Sequence, residues 1–64
     1  MHTIQVRPAL WRVVRTDGSL AGYIEQVPVA DSARFEARRL VASTRRQNTV
    51  GDFSSIDDAV LCFG

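Results

Sequence analysis

Sixty-four residues make one domain and cannot make two, and a domain this small buries only about 60% of the surface its unfolded chain exposes. Seven acidic side chains against eight basic ones, the latter all Arg, leave a net charge of +1, so no general electrostatic pull draws the chain to nucleic acid. One Cys and one His exclude a disulfide framework and a structural metal site, and no apolar run approaches the ~20 residues that span a bilayer.

The N-terminal stretch "HTIQV" alternates weakly through Ile4 and Val6 and is cut off by Pro8, which makes it an edge strand at most. Residues 1–9 are expected to be such a strand or partly flexible. With His2, Arg7 and Pro8 present, Met1 to Leu10 lacks the apolar region of a secretory leader, so the expected setting is cytoplasmic.

The strongest local signal follows. "LWRVVRT" and "SLAGYIEQV" are strand-rich runs separated by Asp17-Gly18, a dipeptide suited to a two-residue type I′ turn. Counting outward from that turn pairs Val14 with Ala21, Val13 with Gly22, Arg12 with Tyr23 and Trp11 with Ile24. Opposed residues share a face. Trp11, Val13, Leu20 and Ile24 then line the core face, with Gly22 leaving room for the indole. Arg12, Val14, Ala21 and Tyr23 lie on the other. A slip of one residue would reverse the assignment.

"VPVADSA" is expected to be a connection, because Pro28 cannot donate to a ladder and Asp31-Ser32 are turn or cap residues. "RFEARRLVASTRR" reads two ways. As a strand it points Phe35 and Ala37 inward and Arg34, Glu36 and Arg38 outward. As a helix capped by Asp31 or Ser32 it stripes Ala33, Ala37, Leu40, Val41 and Thr44. A lone hairpin is marginal in water and needs a third strand, and the helix would expose Phe35, so the strand is preferred. "RRQNT" is then a turn and "VGDF" a short returning strand or extended arm.

Near the C-terminus, Ser55 stands three residues before Asp58 as a capping box, with Asp57 and Asp58 placing negative charge in the first helical turn. Ile56, Ala59, Val60 and Phe63 follow at i, i+3, i+4 and i+7, one apolar stripe. Two turns do not hold without packing, so the stripe is expected to lie on the sheet, with Phe53 anchoring the start of the helix. The expected architecture is a single α+β domain over residues 1–64: a three- to four-stranded antiparallel sheet packed against one short C-terminal helix.

The order "WRV", "DG", "GYIE", "RFEAR" and "GDFSSIDDAV" resembles small uncharacterised bacterial α+β proteins. In outline it is also similar to the arm-binding N-terminal domains of tyrosine integrases and to the plant ethylene-responsive DNA-binding domain. The resemblance implies a three-stranded sheet on one C-terminal helix. It also implies a basic sheet face, with Arg12 and Tyr23 on the hairpin and Arg34 and Arg38 on the third strand at the matching positions.

Catalytic chemistry is sparse. No Gly-rich phosphate loop, Ser/His/Asp set or metal-ligand spacing is present. Asp57 and Asp58 are adjacent, about 100° apart on a helix, and capping accounts for them. Cys62 has no His beside it and reads as a plain, semi-buried thiol. Charge is more informative, since Arg34, Arg38, Arg39, Arg45 and Arg46 stand against Glu36 within fifteen residues. Such arginines often only solubilise a sheet and blunt its edge. The expected role is a small non-enzymatic binding module, acting through a protein partner or by self-association, with no cofactor, metal, membrane or small-molecule substrate. The alternative is a nucleic-acid-binding accessory protein contacting phosphates through Arg12, Tyr23, Arg34, Arg38, Arg45 and Arg46.

Overall fold

Short links between β-forming runs leave no room for crossovers, so successive strands pair antiparallel in chain order. The computed structural model describes residues 1–41, 43–44 and 46–63. Its elements are β1 (His2–Arg7), β2 (Leu10–Val14), β3 (Leu20–Val29), β4 (Ser32–Val41), β5 (Arg46–Phe53) and α1 (Ile56–Leu61), with sheet order β1-β2-β3-β4-β5. The sheet thus has five strands among the described residues, not three to four. The additional pairing comes from the two edges, where backbone bonding suffices and side chains carry little signal. Of "RRQNT", expected as a turn, the described residues 46–49 are strand: β5 begins at Arg46 and pairs Gln47 with Leu40 and Asn48 with Arg39.

The β2–β3 hairpin keeps the expected pairs of Trp11 with Ile24, Arg12 with Tyr23 and Val13 with Gly22, but not the expected turn. Gly18 donates its N–H to Arg15 O at 2.9 Å and sits at φ +90°, while Arg15 donates to Ser19 O at 2.8 Å. The loop is therefore three residues, Thr16-Asp17-Gly18, with Gly in the left-handed position that such loops require. Asp17 braces it by accepting from the Ser19 N–H at 2.9 Å and the Ser19 hydroxyl at 2.7 Å. The extra residue is taken back by a bulge, so Val14 pairs with Leu20 instead of Ala21. Leu20 and Ala21 exchange faces as a result. Leu20 moves to Val14's side and Ala21 is fully buried in the core.

Pro28, expected to block pairing, lies inside β3 opposite Ala33. The reason is directional. Gln26 donates its N–H toward β2, to Ala9 O at 2.8 Å. Two residues on, Pro28 turns its nitrogen to the same side, where β2 has ended and no donor is required. The β3–β4 hairpin then closes between Val29 and Ser32 through Ala30-Asp31, which holds Ala30 at φ +53°. Residues 32–41 are accordingly strand, not helix.

The helix follows its capping signal. Ser55 is the N-cap and its hydroxyl accepts from the Asp58 N–H at 3.1 Å. The reciprocal half of the box is not formed by Asp58, whose carboxylate meets the Ser54 hydroxyl at 3.5 Å instead. At the other end no basic residue occupies the last turn, and Arg39 on β4 supplies the charge by donating from Nη2 to Cys62 O at 3.1 Å. The helix thereby docks on one face of the sheet. Val13, Ala21, Ile24, Ala37, Ala59 and Phe63 are buried between them, with Trp11, Phe35, Phe53, Ile56 and Val60 packed around. Trp11 meets Phe35 edge-on, ring centroids 5.9 Å apart. Gly22 makes room for Phe63, not for the indole: a Cβ there would lie 2.7 Å from the Phe63 ring. Among the described residues, no helix is long and apolar enough to cross a membrane.

Candidate functional site

With α1 on one side, alternation along each strand sends every second residue to the other, and among the described residues no element covers that face. Strand pairing arranges its side chains in rows. One row runs Ile4, Arg12, Tyr23, Arg38 and Thr49 from β1 to β5. The next runs Arg7, Leu10, Glu25, Glu36 and Asp52. The first carries two positive charges. The second carries three carboxylates and one guanidinium. Half-buried Val14, Leu20, Val27 and Leu40 extend the same face beyond the two rows.

The two rows are tied together. Arg38 donates from Nη2 to Glu25 Oε1 at 2.6 Å, and its Nε stands 3.7 Å from Glu36 Oε1. Glu25 and Glu36 are direct cross-strand partners, an arrangement that is unfavourable unless a cation lies beside it, and Arg38 is that cation. Its Nε is buried without a hydrogen-bond partner. Further along, Arg34 places Nε 3.6 Å from Asp52 Oδ2 and donates from Nη2 to Asp52 O at 3.3 Å.

The sequence-derived residues therefore separate. Arg12, Tyr23 and Arg38 come together in one row, and Arg34 lies on the same face opposite Val27. Arg46 pairs with Val41 and, by alternation from Gln47, belongs to the helix side. Arg45 lies outside the described residues. The basic sheet face that the resemblance implies is a mixed one, because Glu25, Glu36 and Asp52 share it with the arginines. Sequence reasoning missed Glu25, Asp52 and Arg7 as members of the site. Each is distant in sequence from Arg38, and only the register joins them.

Elsewhere the chemistry is plain. His2 is exposed. Among the described residues, no group of three or more His, Cys, Asp or Glu side chains is placed to hold a metal ion. Burial pushes the half-buried Cys62 thiol above its usual pKa, against the opposing influence of Arg39. Bonds from the Ser19 side chain and backbone hold Asp17 below the usual carboxylate range. Comparison with protein-family models, curated proteins and solved structures finds no match to this chain.

Proposed function

We propose that the chain is a non-enzymatic binding module whose working surface is the uncovered sheet face, and that this face takes a protein instead of a nucleic acid. The observation that carries the reading is the pairing of the arginines with carboxylates on that same face. A surface that holds phosphates presents guanidinium groups in excess, whereas Arg34 and Arg38 already meet Asp52, Glu25 and Glu36. Tyr and Arg are residue types enriched in protein interfaces, and the half-buried aliphatic side chains beyond the two rows add apolar area to the same face.

One observation favours the nucleic-acid alternative: Arg12, next to Tyr23, makes no ion pair among the described residues. Titration of labelled duplex and single-stranded DNA and RNA at about 50 mM and 200 mM salt separates the two, since real phosphate contacts lose affinity steeply over that range. No binding at the lower salt is expected. Tight, strongly salt-dependent binding that Arg12→Glu removes would replace this reading with the alternative. The positive test is affinity capture with the full chain, in which Tyr23→Lys is expected to lose the captured partner while retaining its melting temperature.

A further inference from the structure

We infer that the occupant of the uncovered sheet face is a second copy of this chain, docked face to face in a reversible two-fold dimer. The inference rests on the reading of that face as the working surface. Three observations lead to it.

The first is charge. The Arg12–Tyr23–Arg38 row and the Glu25–Glu36–Asp52 row are neighbours two residues apart, about 7 Å along the strands. A two-fold axis lying in the interface, parallel to the rows and midway between them, lays each row of one copy over the other row of its partner. Arg38 then faces the second copy's Glu36, Tyr23 its Glu25 and Thr49 its Asp52. An axis along the strands would set Arg12 against Arg38, like against like. The self-complementary pattern thus selects one isologous geometry, with sheets stacked in the aligned manner of a β-sandwich.

The second is area. The strands of 6, 5, 10, 10 and 8 residues form the face. At about 16 Å² of flat footprint per strand residue, they offer about 620 Å², enlarged by side-chain relief, against about 800 Å² per partner in a standard interface.

The third is need. Of the described residues, only Ile24 and Val13 are large side chains buried completely, and a domain of this size with so small a core is commonly completed by oligomerisation. A charge-registered interface no larger than standard size belongs to the weak, reversible class.

Sedimentation of the full chain between about 1 and 500 μM at low salt tests the inference, with a monomer–dimer equilibrium expected that weakens several-fold at high salt. Arg12→Glu, at an exposed position that makes no ion pair among the described residues, replaces the cation beside the second copy's Glu25 by a carboxylate opposite its Leu10 and is expected to weaken the dimer several-fold. Thr49→Arg, also exposed, faces the second copy's Asp52 and is expected to tighten it several-fold. Circular dichroism at dilute concentration verifies that both variants fold. A chain that stays monomeric to 500 μM overturns the inference, yet leaves the binding-face reading standing if a partner is captured that Tyr23→Lys loses. A dimer indifferent to both substitutions also overturns it, pointing to pairing through the β1 or β5 edge. Tight binding of nucleic acid by the face removes both readings together.

Discussion

Replacing Gly22 by Ala adds one methyl group at the tightest point of the fold. Its Cβ would lie 2.1 Å from the carbonyl oxygen of Arg38 and 2.7 Å from Cε1 of Phe63. The ring can tilt away, but the carbonyl belongs to the β4 backbone paired directly with β3, so relief demands that the two central strands separate. Overpacking in a core that yields through side chains costs about 1–3 kcal/mol, and a backbone obstacle places this substitution at or above the upper figure. A 64-residue domain has roughly 3–10 kcal/mol in total. The expected loss of about 3 kcal/mol lowers the melting temperature by about 12–24 °C in a domain of this size. Gly51→Ala is the matched control, because its Cβ meets only the Phe53 ring at 3.8 and 3.9 Å, ordinary contact distances. It is expected to change stability by less than about 1 kcal/mol, with a gain as the favoured sign. Thermal and urea unfolding of the two variants side by side decide the matter. If Gly22→Ala melts within a few degrees of the parent, the Arg38 carbonyl does not stand against Gly22 and the close approach of β3 and β4 at this point is misplaced.

Ala30→Gly relieves a left-handed residue in the β3–β4 turn, and urea unfolding is expected to show a gain of about 0.5–1 kcal/mol. Arg38→Met leaves Glu25 and Glu36 opposed without their cation, and the same measurement is expected to show a loss of about 1–3 kcal/mol that shrinks in Glu25→Gln/Arg38→Met. Cys62 has its pKa raised on folding, so its contribution is whole below the ordinary thiol value of 9.0 and is lost as pH rises through the folded value. Stability measured from pH 8 upward is expected to fall less steeply in Cys62→Ser. Asp17 is shifted the other way, so its contribution stands above the ordinary value of 3.8 and disappears as pH falls through the lower folded value. Asp17→Asn is expected to remove that acid-side decline.

Much of the fold was legible because local rules and burial agreed. Trp11, Val13 and Ile24 share a face by simple alternation, and Ser55, Ile56, Ala59, Val60 and Phe63 announce a capped, amphipathic turn whose packing follows from its stripe. The errors arose where a local signal has two solutions. Asp17-Gly18 serves a two-residue turn and a three-residue loop equally well, and the choice moves Leu20 and Ala21 to opposite faces. Pro28 is forbidden only when a strand lies on its nitrogen side, a fact about β2's length and not about Pro28. At the β5 edge, Gln47, Asn48 and Thr49 resemble turn residues because an exposed edge strand places few demands on side chains.

The site was harder to read for a related reason. Arginine positions are visible one at a time, but their effect depends on what the register brings beside them. Glu25 and Arg38 are thirteen residues apart and meet at 2.6 Å, and Arg34 and Asp52 are eighteen apart and meet at 3.6 Å. Each bridge crosses one hairpin, so a one-residue slip in either would send carboxylate and guanidinium to opposite faces and restore the one-sided charge that the composition suggests. The bulge at Val50, between the pairs Ala37–Gly51 and Arg38–Thr49, is therefore consequential. It lets Gly51 lie opposite Ala37 and Thr49 opposite Arg38 on adjacent rows, which keeps Asp52 beside Glu36. Were Val50 instead taken into the ladder opposite Ala37, Gly51 would face Glu36 and Asp52 would pair with Phe35 on the helix side, away from Arg34. Deletion of Val50 removes the bulge, leaves the Ala37–Gly51 and Glu36–Asp52 pairs in place, and is expected to keep Asp52 beside Arg34.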